Sequence, residues 1–423
     1  MATLLADQDL GAAIDTPEAN PAHLVPTPAY VPADRIRPYP FVLGARTKLR
    51  PHSLVPAFHQ GPEVFWAERA FNGVRGAWVP RTVELLHQVY NDNVHFSARG
   101  FAPFATMLGE NWFLVPAEAD PPLHAMLRAM VNPAFTPKRM AALEDKIRAY
   151  ARDYILAFRD KGGCEFMADF AFEFPIKVFL ELMGLPQERV TQFLAWEHKL
   201  LHEPDLDEVI AGTRAVVDYL REEIEDRRVN PRDDLITFGI AIEKDGRRLT
   251  DDELIGFCFN LFIGGLDTVS TNMAWQFLHL AEHPDDQARL RADPRLLPAA
   301  IDEMMRVYAA VATSRECVKE TQLGDVTVRP GDKVLLSTFL GGRDPAAYDD
   351  PDRVILDRAP RHVSFGYGTH LCVGMHLARR EMRIALEEFL REIPDFSLAP
   401  DADMTFYLAA IIQPVTLPLV WKA

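Results

Sequence analysis

The chain of 423 residues has few cysteines and a deficit of basic side chains. Its four cysteines are irregularly spaced, which excludes a paired-cysteine metal site and a disulfide framework. Lys and Arg number 45 against 61 Asp and Glu, so the formal net charge is −16. A charge of that sign argues against a nucleic-acid or anionic-membrane partner. Cysteines without a disulfide pattern predict a reducing, cytoplasmic location.

Long apolar runs, targeting segments and nucleotide fingerprints are also lacking. The longest nearly apolar run, residues 254–266, contains Asn260 and is shorter than the roughly 20 residues that a membrane-spanning helix needs. The first residues, Met1 to Asp7, have neither a basic stretch nor an apolar core, so they predict no signal peptide. No G-x-G-x-x-G motif follows a predicted strand. The sequence therefore predicts a protein outside the membrane that has no flavin or nicotinamide domain of its own.

Proline is concentrated near the N-terminus. Nine of the first 60 residues are proline, which excludes a long helix and predicts that residues 1–60 form an arm on the surface. No linker-like stretch interrupts residues 61–423, which predicts one domain there. Helical periodicity dominates this part, and strand-like segments recur near 74–80, 325–337 and 405–420. The predicted fold class is therefore mainly α with a minor β region.

The longest predicted helix covers residues 250–282. A capping box at residues 250–253 starts it, and the residues that follow are apolar almost all round, so the helix should cross the interior. The glycine pair at 264–265 lies midway, although each glycine costs about 1 kcal/mol in a helix interior. Asp267 and Thr268 follow directly. A buried acid and an alcohol beside a weakened helical turn favour a proton-delivery site.

One cysteine lies in a glycine-containing loop just before a predicted helix at 375–391. The spacing F-x-x-G-x-x-x-C-x-G is formed by Phe365, Gly368, Cys372 and Gly374. Unpaired N–H groups at a helix N-terminus favour a thiolate, and glycines let the backbone approach a large flat ligand. A thiolate presented in this way is a suitable axial ligand for a haem iron.

The spacing of this loop is similar to the haem-binding loop of the cytochrome P450 family. The segments that resemble its bacterial camphor 5-monooxygenase group are 264–269, 393–397 and 417–421, and the resemblance runs from about Val31 to the end. It implies a triangular helical prism with haem b between the long central helix and the helix after the loop. Cys372 then ligates the haem iron, with Phe365, Gly368 and Gly374 in its loop, while Asp267 and Thr268 activate dioxygen.

The resemblance also implies roles for charged residues outside the loop. The residues that would bind the haem propionates are His124, Arg128, Arg315 and His370. Glu303 and Arg306, spaced as E-x-x-R, would form a structural ion pair, which Arg353 would complete.

The substrate pocket is implied by the same resemblance. Its residues would be Trp112, Asn260, Ile263, Gly264, Val311 and Ile411. Trp112 stands where the camphor hydroxylase offers a tyrosine hydroxyl to its ketone, and its indole either donates a hydrogen bond or only packs. A mostly apolar pocket with one or two donors predicts a small terpenoid or norisoprenoid, such as an ionone- or camphor-like ketone.

Electrons for such a reaction must come from another protein. The resemblance implies a 2Fe-2S ferredoxin with its NAD(P)H-dependent ferredoxin reductase, and O2 as the co-substrate. Because such ferredoxins are acidic, a basic patch should bind them. Its candidate residues are Arg128, Lys138, Arg139, Arg379 and Arg380.

Three alternatives stay open at this stage. A peroxygenase of the same fold would use hydrogen peroxide, although Asp267 and Thr268 are normally replaced there. A haem-binding sensor or carrier would keep Cys372 and would not need Thr268. Residues 279–283 read H-x-x-E-H, the inverted zinc-peptidase signature, but Pro284 ends that helix at once.

Overall fold

The computed structural model describes residues 14–18, 23–71, 73–203 and 205–422. The prediction that no signal peptide is present concerns Met1–Asp7 and lies outside these residues. The longer helices, α1 to α12, are Val83–Asn91, Leu123–Val131, Glu144–Phe158, Glu173–Met183, Val190–Leu201, Leu206–Val229, Leu235–Ala241, Asp251–Gly265, Asp267–Glu282, Pro284–Ala292, Leu297–Val307 and Met375–Glu392. Shorter α-helices are Val55–Phe58, Phe104–Met107, Pro137–Ala141 and Thr338–Gly341.

The strands are short and lie mostly near the two ends of the chain. The strands β1 to β16 are Ile14–Asp15, Ala45–Thr47, Val64–Phe71, Arg75–Pro80, Phe96–Ser97, Gly163–Glu165, Glu243–Lys244, Arg247–Arg248, Ala312–Cys317, Thr321–Leu323, Val326–Val328, Lys333–Ser337, Phe396–Leu398, Phe406–Leu408, Ile412–Pro414 and Pro418–Trp421. The prediction of a mainly α fold with a minor β region is confirmed.

Two compact units divide the chain. The first is built from Met1–Ser97, Thr271–Cys372 and Asp395–Lys422, and the second from Ala98–Ser270 and Val373–Pro394. The division of the sequence into a 1–60 arm and one 61–423 domain stays a prediction.

The first unit contains the main sheet. Its strand order is β3-β4-β12-β9-β5, with β12 antiparallel to β9 and parallel to β4. A second sheet has the order β1-β2-β14-β15, so part of the proline-rich segment belongs to a sheet. Phe41 and Val42, just before β2, are buried. Residues 1–13 and 19–22 of that segment lie outside the described residues.

The second unit is helical around an aromatic and aliphatic core. The buried side chains of Leu180, Phe193, Leu220 and Phe262 place α4, α5, α6 and α8 against this core. Helix α12 lies against α3, where Arg148 bonds Glu387 at 2.8 Å and Glu388 at 2.5 Å. The hydrophobic face of each helix therefore points inward, and the ion pairs join the polar edges.

The stretch Asp251–Glu282 is unusually apolar for its length. Among the described residues it is the one helical stretch long and apolar enough to cross a membrane, with a mean hydropathy of 1.4. The predicted capping box is present, since Thr250 and Glu253 bond each other's backbone N–H. In the structure 67% of its apolar window is buried, as in the core helix of a folded protein.

A buried ion pair within α11 is contacted by an arginine from the segment that follows the main sheet. Arg306 Nη2 lies 2.8 Å from Glu303 Oε1, and both side chains are fully buried. The second guanidinium at Glu303 belongs to Arg358, whose Nε lies 3.1 Å from the same oxygen.

The prediction that Arg353 completes this ion pair is therefore wrong. The side chain of Arg353 is 74% exposed and lies 3.5 Å from Asp350. Only its carbonyl oxygen takes part, accepting a hydrogen bond from Arg306 Nη2 at 2.9 Å. The backbone path after residue 350 turns the Arg353 side chain outward and brings Arg358 to Glu303.

Replacing Arg358 by methionine is expected to destabilise the fold. The change removes one of two cations at a fully buried carboxylate, so we expect the free energy of unfolding to fall by about 2–3 kcal/mol. Arg353→Met is the matched control and should change it by less than about 0.5 kcal/mol. Urea unfolding of both holoproteins measures the difference. Equal effects of the two changes would contradict the assignment.

Candidate active site

The loop that carries Cys372 is closed by backbone hydrogen bonds. The N–H of Cys372 donates to the Phe365 carbonyl at 2.9 Å, and that of Gly366 donates to Val363 at 2.8 Å. Gly366 and Gly368 have φ of 72° and 64°, a region that favours glycine. A side chain at Gly368 would also clash with Asn91. The loop conformation therefore favours glycine at positions 366 and 368, the second of which belongs to the motif.

The thiol of Cys372 is placed to bind a ligand from outside the chain. Cys372 is exposed and lies shortly before α12, whose N-cap is Gly374. Among the described residues, the one group of three or more metal-binding side chains is Glu197, His202 and Asp267. Cys372 is not part of it, and it is the one sulfur-containing residue of the 365–374 loop. Such a donor set fits a metal whose other ligands come from a macrocycle, as in haem.

Two of the predicted propionate ligands belong to the first unit. Arg315 is buried in β9, donates to the Ser314 carbonyl at 2.8 Å, and lies over the ring of Tyr90. His370 ends the short 3-10 turn Gly368–His370 in the cysteine loop. Asn93 donates to Thr369 at 3.1 Å and anchors this turn.

The other two predicted propionate ligands lie on α2 in the second unit. His124 is buried, and its N–H donates to the Asp120 carbonyl at 2.9 Å. Arg128 is half-buried one turn later, with its Nε donating to Asn132 Oδ1 at 2.7 Å. One helix turn therefore separates the two basic side chains, which places them on the same side of α2.

The long predicted helix is interrupted where the sequence places its glycine pair. Helix α8 ends at Gly265 and α9 begins at Asp267, with Leu266 at φ −98° and ψ −80°. The hydroxyl of Thr268 donates to the Gly264 carbonyl at 2.9 Å. A side chain at Gly264 would meet nothing within 4 Å, so open space lies beside this turn.

The carboxylate of Asp267 lies in a cluster that sequence reasoning missed. Its side chain is 1% exposed, and its Oδ2 lies 3.5 Å from His202 Nε2. Glu197 Oε1 lies 3.8 Å from the same nitrogen. Residues 197–203 match no motif, and their closeness to Asp267 arises only from the packing of α5, so the sequence carried no signal for this cluster.

The pKa values of Glu197 and His202 are shifted by their surroundings in this cluster. Burial, followed by the charge of Asp267, raises the pKa of Glu197 to about 7. Burial alone would lower the pKa of His202, but the charges of Asp267 and Glu197 outweigh it and raise that pKa to about 10. At neutral pH the imidazolium is therefore held between two carboxyl groups.

The loop before α2 is held by a buried carboxylate. Glu118 accepts the N–H of Leu114 at 2.9 Å and that of Ala102 at 3.2 Å. Burial raises its pKa, although the backbone donors oppose this. The backbone at Ala102 and at Leu114 is therefore held by the same side chain, that of Glu118.

The polar groups of two predicted pocket residues are bonded within the protein. The indole N–H of Trp112 donates to Glu110 Oε2 at 2.6 Å, and Glu110 pairs with Arg221 at 2.7 Å. The Trp112 ring packs on Phe259 at 4.9 Å. Asn260 Nδ2 donates to the Val115 carbonyl at 3.1 Å. The hydrogen bond that a ketone could accept from Trp112 is already used by Glu110.

The remaining predicted pocket residues are apolar. Ile263 is half-buried on α8, directly before Gly264. In the first unit, Val311 and Ile411 are paired in an antiparallel β-bridge. Backbone hydrogen bonds flank this bridge, since Ala312 donates to Ala410 at 2.7 Å and Ile412 to Ala310 at 2.9 Å.

The H-x-x-E-H segment contains no zinc site. Both ring nitrogens of His279 are hydrogen-bonded, Nδ1 with Tyr308 at 2.9 Å and Nε2 with Asp286 at 3.0 Å. His283 Nδ1 bonds the His279 carbonyl at 2.8 Å, and Glu282 pairs with Arg50. These side chains hold the end of α9 together, so the zinc-peptidase alternative is wrong.

Comparison with known proteins gives consistent matches over most of the chain. The family model described as cytochrome P450 matches residues 177–405. A probable cytochrome P450 127A1 from Sinorhizobium fredii is 36% identical over 351 residues, which cover 82% of this chain and 84% of that protein. The crystal structures of CYP101J2 and cytochrome P450 CYP101C1 have TM-scores of 0.84 and 0.83. Their sequences are 30% and 33% identical to this one, respectively. The matches cover 95% and 94% of this chain and 100% of each of the two solved chains.

Proposed function

The chain belongs to the cytochrome P450 family of haem-thiolate monooxygenases, and from this premise we propose that it hydroxylates an unactivated C–H bond of a small apolar terpenoid or norisoprenoid. Ionone- and camphor-like ketones are the proposed substrates. O2 is the co-substrate, and a 2Fe-2S ferredoxin with its NAD(P)H-dependent reductase is the proposed electron source.

Cys372 is proposed as the axial ligand of the haem iron. Its exposed thiol and its closed glycine loop support this role, as does its place outside the one group of three or more potential metal ligands among the described residues. When bound, haem b supplies the iron at which dioxygen is activated with two electrons and two protons. Arg315 and His370, together with His124 and Arg128, would bind its propionates, because buried or half-buried cations suit carboxylates.

Asp267 and Thr268 are proposed to deliver the protons. The Thr268 hydroxyl lies at the interrupted turn beside open space, where its bond to Gly264 fixes the oxygen. Asp267 directly precedes it and lies within reach of an imidazolium. An acid that gains and loses a proton and a hydroxyl that passes it on are the two groups this reaction needs.

The proposed substrate class rests on one observation: the polar groups of the predicted pocket are hydrogen-bonded within the protein. The N–H groups of Trp112 and Asn260 donate to Glu110 and Val115 within the protein. The other predicted pocket side chains, Ile263, Val311 and Ile411, are aliphatic. A pocket of this kind gains most of its affinity from apolar contact and little from hydrogen bonds. A compact hydrocarbon skeleton therefore suits it, and a ketone on that skeleton is tolerated rather than required.

A panel of terpenoid and ionone-like ketones, each paired with the hydrocarbon that lacks its oxygen, tests this proposal. We expect small ketones to shift the haem spin state, with each hydrocarbon binding within about tenfold of its ketone because no donor is left unpaired. Shifts obtained only with large polar molecules would contradict the substrate class. Turnover with hydrogen peroxide that equals ferredoxin-supported turnover would favour the peroxygenase alternative.

The proposed ferredoxin patch is smaller than the sequence suggested. Arg380 pairs with Glu144, which also pairs with Arg383 at 2.8 Å, so its charge is compensated within the protein. Lys138 and Arg139 are exposed near the start of a short helix and support the proposal. A cytoplasmic location is part of the proposal too, supported by four cysteines that form no disulfide among the described residues.

A further inference from the structure

Three ionisable side chains of the second unit meet in one buried cluster. Their ligand atoms all lie within 4.8 Å of one another, and His202 Nε2 is the atom shared between the two carboxyl groups. Exposure rises from 1% for Asp267 to 6% for Glu197 and 10% for His202. Asp267 is therefore the innermost of the three groups, and Glu197 and His202 both keep some exposure to solvent.

The imidazole nitrogen of His202 lies close to both carboxyl groups. The 3.5 Å from Asp267 and 3.8 Å from Glu197 to this nitrogen are slightly longer than ordinary N–H···O bonds. A small movement of one side chain therefore brings the imidazolium into proton-transfer distance of either carboxyl group. An arginine or lysine here would neutralise Asp267 equally well, but its proton would stay bound at any ordinary pH. Histidine can neutralise the carboxylate and also release a proton to it.

We propose that His202 and Glu197 form a relay that resupplies Asp267 with protons during turnover. This inference rests on the proposed delivery of protons by Asp267. In each cycle His202 Nε2–H gives its proton to Asp267 Oδ2, which leaves a neutral imidazole and a neutral acid. The protonated Glu197 then returns a proton to Nε2 and becomes a carboxylate. Glu197 regains its proton from solvent, so one proton is moved inward and no other group changes.

The other titratable groups near this end of α5 are His198 and Lys199. The ring of His198 is stacked 5.7 Å from that of His202. On α6, which packs against α5, Glu208 is paired with Lys199 at 2.6 Å. His202 is also the C-cap of α5, where the negative end of the helix favours a cation. Because the pKa of Glu197 is about 7, its carboxyl group loses the proton that it would give to His202 as the pH rises past neutrality.

The exchange of His202 for arginine tests the relay, because it keeps the positive charge and removes the transferable proton. We expect His202→Arg holoenzyme to form product about tenfold more slowly than the unchanged chain near pH 6. Its rate should be flat between about pH 6 and 9, whereas the unchanged chain should slow above about pH 7. His23→Arg, the same exchange at an exposed position outside the cluster, should keep the unchanged profile.

The outcomes separate the relay from the proposed function. If His202→Arg keeps the rate and the pH profile while Asp267→Asn is impaired, the relay is wrong and the proton delivery stands. If Asp267→Asn is unimpaired, the proposed delivery itself is wrong. If His202→Arg does not retain haem, Glu197→Gln provides the test instead. Glutamine is uncharged, like the protonated Glu197, but it has no carboxyl proton to give to His202. An unchanged pH profile in Glu197→Gln would overturn the relay.

Discussion

Asp267→Asn is expected to lower the rate of product formation by about 100-fold. Asparagine has the same shape but cannot carry a proton, so the step that depends on proton delivery slows. Haem content and the substrate-induced spin shift should stay unchanged, because Asp267 lies among Glu197 and His202. Electrons from NAD(P)H that no longer reach product should appear as hydrogen peroxide.

Product, peroxide and NAD(P)H consumption, measured together, check this result. Asp252→Asn is the matched control, because Asp252 is exposed in the first turn of α8 and takes no part in the cluster. Thr268→Ala should divert electrons to peroxide in the same way, and Thr268→Ser, which keeps the hydroxyl, should restore much of the product. Unaltered product yield in Asp267→Asn would end the proton-delivery assignment.

Cys372→Ala is expected to abolish monooxygenase activity altogether. The change removes the single sulfur that the loop offers, while the backbone bond from residue 372 to Phe365 is kept. The loop should therefore retain its shape, and any haem that still binds should lack a thiolate ligand. The loss should not be rescued by substrate or by more ferredoxin.

Haem titration and the visible spectrum of the ferric protein measure the effect. Cys164→Ala is the control, since Cys164 is a free, half-buried cysteine in β6 and is not expected to bind metal. Its activity and spectrum should match those of the unchanged chain. Residual activity in Cys372→Ala comparable with Cys164→Ala would show that the iron is ligated elsewhere.

The elements that the sequence predicted well are those with long periodic patterns. The predicted helix 250–282 is α8 and α9, and the predicted helix 375–391 is α12. The capping box before α8 is formed as expected. Strand partners were not predictable, because β12 pairs with β9 and β4 through contacts between distant parts of the chain. Local pattern fixes where a helix begins, whereas pairing depends on the whole fold.

The site divides in the same way. The Cys372 loop and the Asp267–Thr268 turn are local motifs, so their shape follows from neighbouring residues. The roles of His202 and Glu110 depend on contacts between separate segments, and no spacing in the sequence encodes them. The Arg353 error has the same origin, since five residues of irregular backbone decide which arginine reaches Glu303.

The carbon-monoxide difference spectrum of the reduced holoprotein tests the central claim most directly. If Cys372 ligates the haem iron as a thiolate, the Soret band of the carbon-monoxide complex should show the strong red shift typical of that ligand. A carbon-monoxide complex in the unchanged chain without that shift, like that of a histidine-ligated haem, would contradict the assignment of Cys372 and the function built on it.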